Sequence, residues 1–138
     1  MTTAHSRSIL ATVFLSGLVI QAGLFIYMSS TNKIRHSDCN ALLLTLLDVY
    51  KVSLAVILAG MFGGMNSAST KMSGSPFWLA CGVSVLWNAL LVSRSTIFAL
   101  SQNDNWKDLS GYLLSVSGAS SFLVAGALSF FFASRTRR

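Results

Sequence analysis

The sequence predicts an all-α fold: a polytopic membrane protein, built as a four-transmembrane-helix antiparallel bundle with short loops, in one domain over residues 1–138. Three observations predict it. Four long apolar runs divide the chain, charged residues are scarce, and the joints between the runs are short and rich in turn-forming residues. A helix needs about 20 mostly apolar residues to cross roughly 30 Å of hydrocarbon. Only helices and closed barrels satisfy their backbone groups there, and these runs are too long and lack the alternation of barrel strands.

The first run extends from Ile9 to Met28, with no charge between Arg7 and Lys33. It exceeds the apolar core of a signal peptide, about 7–15 residues, and no clear small-x-small cleavage site accompanies it, so it reads as a retained span. The second run, Ala41 to Met65, is interrupted by Asp48 and Lys51. The third, Pro76 to Leu100, carries Arg94 near its far end, and the fourth, Leu109 to Ala133, is uncharged throughout.

The joints have matching local chemistry. Ser30-Thr31-Asn32 closes the first span. Asp38 or Asn40 is expected to cap the second by accepting from free N–H groups. Gly63-Gly64 and Asn66-Ser67 are expected to end it. Gly74-Ser75-Pro76 opens the third span, with proline suited to a first helical turn. Asn103-Asp104-Asn105 forms a polar turn before the fourth. Short connections favour consecutive spans as antiparallel neighbours.

Composition points the same way. Hydrophobic residues make up 53% of the chain and charged residues 10%, with no glutamate. Soluble domains carry about 25% charged residues, so this chain lacks the means to build a water-facing shell. The net charge of +6 does not imply nucleic acid. Membrane proteins collect Lys and Arg in cytoplasmic segments, and no loop here is long enough for a nucleic-acid module. Four spans place both termini on one side. Arg7, Lys71, Arg135, Arg137 and Arg138 lie on that side, against Lys33, Arg35 and Lys107 on the other. The positive-inside rule therefore predicts cytoplasmic termini, in the plasma (inner) membrane if the cell is bacterial. Tyr27 and Trp106 are expected at the outer interface, and Trp78 with Phe130-Phe131-Phe132 at the inner one. Cys39 and Cys81 fall on opposite sides, so no disulfide between them is expected.

Charges within a span are candidates for function, because lipid makes them costly. Asp48 is predicted about 10 Å in from the outer end of the second span, and Arg94 about 9 Å in from the outer end of the third. On neighbouring helices they are expected to pair. Lys51 is expected about 15 Å deep, within reach of Asn88 at about 18 Å. Asp48, Lys51, Asn88 and Arg94 thus form a predicted intramembrane polar cluster, with Ser84 and Ser95 on the Asn88 stripe and Gln21 and Ser16 able to join. Such a cluster either fixes helix register or serves a pathway or switch. With two cations and one anion, a wet cluster would favour anions.

Small residues form the second candidate. Gly111, Ser115, Gly118, Ala125 and Ser129 keep one face of the fourth span small, and Gly60 and Gly64 do so in the second. Such faces let helix backbones approach closely. They serve packing within one chain or a homo-oligomer, with the fourth helix as the expected contact. The basic tail of Arg135, Arg137 and Arg138 offers a docking handle for a cytoplasmic partner, or an anchor on anionic lipid.

Chemistry is not expected. His5 and His36 lie outside the spans, so paired haem ligation within the bundle is unavailable. No His, Cys or carboxylate group has metal spacing, and no phosphate-binding fingerprint appears. Serine is abundant but lacks an intramembrane base. The expectation is a non-enzymatic membrane protein without cofactor. It would be an oligomeric sensing or interaction subunit beside a partner protein, for example in a bacterial stress or phage-defence system. A small ion channel or transporter built on the polar cluster is the alternative.

Overall fold

A computed structural model describes residues 3–62, 74–101 and 105–133 of the chain. They form four helices: α1 (Thr3–Ser30), α2 (His36–Phe62), α3 (Gly74–Leu100) and α4 (Trp106–Ala133). Each is long and apolar enough to cross a membrane. The fold is all-α, with no strand among the described residues.

The helices outrun the apolar runs because their polar ends have partners. At the end of α1, Asn32 adopts a left-handed backbone with φ of 57°. The Lys33 N–H donates to the Met28 carbonyl at 2.9 Å, and the Asn32 N–H donates to the Ser29 carbonyl at 3.2 Å. This is a Schellman end, and asparagine is among the few non-glycine residues that tolerate its left-handed position. The chain re-enters a helix at once. The Arg35 carbonyl accepts from the N–H groups of Asp38 and Cys39, both at 3.0 Å. Arg35 is thus the cap of α2, and the expected caps Asp38 and Asn40 lie inside the helix. Asp38 falls in the first turn instead, where a carboxylate complements the positive end of the helix dipole. Ser29 Oγ meets His36 Nδ1 at 2.8 Å and ties the two helix ends together. Asn105 caps α4 by accepting the Lys107 N–H on its side chain at 3.1 Å. Pro76 falls in the first turn of α3. The expected stops at Gly63-Gly64 and Asn66-Ser67 lie outside the described residues.

The bundle is a square with corners in the order α1, α2, α4, α3. α1 packs on α2 and α3, and α4 packs on α2 and α3. The pairs α1–α4 and α2–α3 face each other across the diagonals, where their backbones do not approach closely among the described residues. This corrects the expected arrangement in two ways. α2 and α3, consecutive in the chain, are not neighbours. Of the four packed pairs, only α1–α2 and α3–α4 run antiparallel, whereas α1–α3 and α2–α4 run parallel. Lys33 Nζ at the end of α1 donates to the Ala99 carbonyl at the end of α3, at 2.8 Å. Thr45 Oγ1 near the start of α2 meets Ser110 Oγ near the start of α4, at 3.2 Å. The physical reason is reach. Residues 63–73 separate α2 from α3, and that length of chain spans up to about 36 Å. The diagonal of a bundle with helices 8–10 Å apart is only about 11–14 Å.

Each helix buries one stripe at helical spacing. In α1 it runs Leu10, Phe14, Gly17, Gln21, Phe25 and Met28, and in α2 Leu42, Leu46, Val49, Tyr50, Ser53 and Ile57. The opposite faces are as apolar as the inside: Val19, Ile20, Leu44, Leu86, Leu90 and Leu123 all stand exposed. A continuous apolar exterior suits lipid and not water. Tyr27 and Trp78 are exposed near helix ends, Trp106 is half-buried, and Phe131 is buried against Phe77 at 6.1 Å between ring centroids.

The Schellman end gives a direct test. Asn32→Val is expected to destabilise the protein by about 1–2 kcal/mol, because a β-branched residue resists the left-handed region. Asn32→Gly is expected to cost nothing. Thermal unfolding in detergent measures both, and equal losses would contradict the assigned end.

Candidate functional site

The polar residues of the spans form two separate groups, one inside the bundle and one outside. The interior group begins with Asn88. It lies on the inward stripe of α3 between Ser84 and Ser95, each placed four or seven residues away. Asn88 Nδ2 donates to the Ser84 carbonyl at 2.9 Å. Its Oδ1 accepts from the Tyr50 hydroxyl at 2.6 Å, across the diagonal from α2. The Tyr50 oxygen in turn accepts from Gln21 Nε2 of α1 at 2.8 Å. Ser95 Oγ donates to Gln21 Oε1 at 3.1 Å, returning to α3. Gln21, Tyr50, Asn88 and Ser95 are all buried. Three of these four bonds join different helices, so the network fixes the rotation and depth of three helices at once. Buried amides and hydroxyls without water must be bonded to one another or they cost several kcal/mol.

The close approach has a local cause. Gly17 lies on the inward stripe of α1, and a Cβ there would overlap Asn88 Oδ1 and come within 2.8 Å of the Tyr50 hydroxyl. Glycine is the residue that leaves room for the diagonal bond. Beside the network, aromatic packing fills the interior. Phe14, Tyr50 and Trp87 contact one another, with the Tyr50 and Trp87 centroids 5.0 Å apart.

The second group is an ion pair on the outward face of α2. Lys51 Nζ lies 2.8 Å from Asp48 Oδ1, and the two side chains are 67% and 61% exposed. They bracket the helix midpoint: Asp48 follows His36 by twelve residues, and Lys51 precedes Phe62 by eleven. Each is therefore about 17–18 Å from the nearer helix end. Lys51 turns its ammonium to Asp48 rather than toward an end.

The expected single cluster is thus divided. Asp48 and Lys51 share a face, as their spacing predicts. Arg94 does not meet Asp48, because α2 and α3 occupy opposite corners. It is half-buried and stands over the Tyr112 ring of α4, 5.6 Å from the centroid. Lys51 does not reach Asn88, because it projects outward while Asn88 is buried. Gln21 joins Asn88, and Ser16 bonds its own helix at the Val13 carbonyl, 3.0 Å away. Tyr50 was not anticipated. A tyrosine at mid-span needs a partner for its hydroxyl, and that need is the signal that identifies it.

The small residues of α4 also face outward. Gly111, Ser115, Gly118 and Ser129 are exposed and Ala125 is half-buried. A Cβ at Gly111 or Gly118 would meet nothing within 4 Å. Packing inside this chain therefore does not use that face. The hydroxyls that do contact α2 lie beside it, with Ser117 Oγ donating to the Val49 carbonyl at 3.5 Å. Gly60 lies near the end of α2 with its surroundings undescribed, and Gly64, Arg135, Arg137 and Arg138 lie outside the described residues. Cys39 is buried and Cys81 half-buried, and both are free. No group of three His, Cys, Asp or Glu gathers among the described residues.

Fold and site together define an all-α bundle of four helices suited to a membrane, tied by a buried amide–phenol network and carrying an ion pair on its outside. The chain matches no protein family, no curated protein and no solved structure.

The network predicts two losses. Tyr50→Phe leaves Gln21 Nε2 without its interhelical acceptor and Asn88 Oδ1 without its donor, and should cost about 1 kcal/mol. Gly17→Ala should cost about 1–3 kcal/mol by overpacking, and should lose little further in the Tyr50→Phe background. Detergent unfolding of the double-mutant cycle checks this. Additive losses would mean that Gly17 and Tyr50 act independently.

Proposed function

We propose that this chain is a non-enzymatic interaction subunit of a membrane assembly, spanning the bilayer four times with both termini in the cytoplasm. The observation that carries the proposal is the Asp48–Lys51 pair at mid-depth on the outside of the bundle. A charged residue at a bilayer centre costs about 2.5–3.5 kcal/mol on insertion scales. Pairing offsets part of that cost, but the free lone pairs and N–H groups of the pair still face hydrocarbon. The four-carbon lysine stem is too short to carry the ammonium to either interface from this depth. Protein covering the α2 face removes the mismatch. The small outward face of α4 offers a second contact surface, where backbones approach closely. Docking of a cytoplasmic partner on the basic tail belongs to the same reading.

Conduction through a single chain is disfavoured by the filled interior, where Phe14, Tyr50 and Trp87 occupy the middle and each network member has a partner. No observation favours catalysis.

A photo-crosslinking residue at Val52, beside Lys51 on the outward face, tests the proposal in membranes of the native host. The expected result is a crosslink to protein. The same group at Val19 of α1 should label chiefly lipid. Lipid labelling alone at both positions would remove the case for an interaction subunit.

A further inference from the structure

We infer that the protein covering the outward face of α2 is a second copy of this chain, docked about a two-fold axis along the bilayer normal. This inference rests on the reading that protein covers that face. It deepens that reading by naming the partner.

The charge pattern of the face is self-complementary. It presents one carboxylate and one ammonium, net neutral, separated along the axis by about 4.5 Å. A two-fold mate presents the same pair at the same depth. The four charges then alternate around a square: each Lys51 ammonium lies between its own Asp48 and that of its mate. The pair has capacity for this. An ammonium has three donors and a carboxylate about four acceptor sites, while one bond joins Lys51 to Asp48 among the described residues. A dissimilar partner must supply an anion and a cation at matching depths, whereas a copy supplies them by symmetry. Buried ion pairs add little to stability when water is the reference. Here the reference is hydrocarbon, so mutual satisfaction of the four charges is a gain.

The rest of the face fits close approach. Leu44, Asp48, Lys51, Ala55 and Leu58 all project outward, at alternating spacings of four and three. That is the seam of two helices crossing at about 20°. Ala55 lies one turn beyond Lys51 and Ala59 one turn beyond Ala55, both exposed. Small residues next to the charges let the backbones draw near enough for the cross-pairs to form. The outward faces of α1 and α3 carry Val19, Ile20, Leu86 and Leu90 beside small residues such as Gly23, Gly82 and Ala89, so the charges set the α2 face apart. Among the described residues, no ion pair stands on them.

The test is single-molecule photobleaching of fluorophore-labelled full-length chain in liposomes at low protein density. Wild type should bleach in two steps. Ala55→Trp, which wedges the seam without altering charge, should reduce two-step events at least fivefold, and Val19→Trp on α1 should not. Asp48→Lys presents two ammoniums and Lys51→Asp two carboxylates. Each alone should fall to single-step bleaching. Mixed in one membrane, the two variants should form two-colour pairs at least tenfold more often than either forms with itself. Single-step bleaching by wild type, or two-step bleaching by Ala55→Trp, would overturn the two-fold contact. Crosslinking from Val52 separates this failure from that of the broader reading. A product with a different protein sinks the second copy while keeping an interaction subunit, and a product with lipid alone sinks both.

Discussion

Hydrocarbon offers a polar group no water, so each polar group in the spans must find its partner in the protein. That constraint organises this chain. Inside the bundle it is met, apart from the Trp87 indole N–H, by a chain of bonds from Ser95 to Gln21 to Tyr50 to Asn88, linking α1, α2 and α3. Because each link crosses between helices, breaking one strands a group on another helix. Apolar packing alone specifies rotation poorly when both faces of every helix are apolar, as they are here. The network supplies the specificity that hydrophobicity cannot.

The bundle order follows from the same bonds. The Tyr50–Asn88 bond crosses a diagonal, which requires α2 and α3 to face each other through the centre rather than side by side. Gly17 provides the space for that crossing. Phe14 and Trp87 pack around the phenol and close the core. One consequence reaches the surface. With Tyr50 turned inward, Asp48 and Lys51 point away from the core, since residues one and two positions away lie about 100–200° around the helix. The interior network therefore places the ion pair outside.

Much of this was legible in the sequence. The number of helices and most of their extent follow from apolar length, as do the closing Asn32 and the opening Asn105. That Asp48 and Lys51 share a helix face follows from their spacing, although the pairing expected for Asp48 is with Arg94, and the stripe of Ser84, Asn88 and Ser95 follows from theirs. Three things were not legible. Bundle order depends on which diagonal bond forms, and loop length says little when residues 63–73 can span any two corners. The direction each charge faces cannot be read from hydropathy when apolar residues cover both sides of α2. The start of α2 at Arg35, ahead of its apolar run, has no capping side chain to signal it: the expected caps Asp38 and Asn40 lie inside the helix.

The claim most open to direct test is that the outward face of α2 is not in contact with lipid. Val52 and Leu90 are each 44% exposed in the single chain. Each lies three residues past the midpoint of its helix. Nitroxide spin labels at these two positions, read for oxygen accessibility in liposomes, compare the faces at matched distance from the helix midpoint and matched exposure. The account predicts an accessibility at Val52 several-fold below that at Leu90. Equal accessibility would mean that lipid bathes the ion pair, and would contradict it.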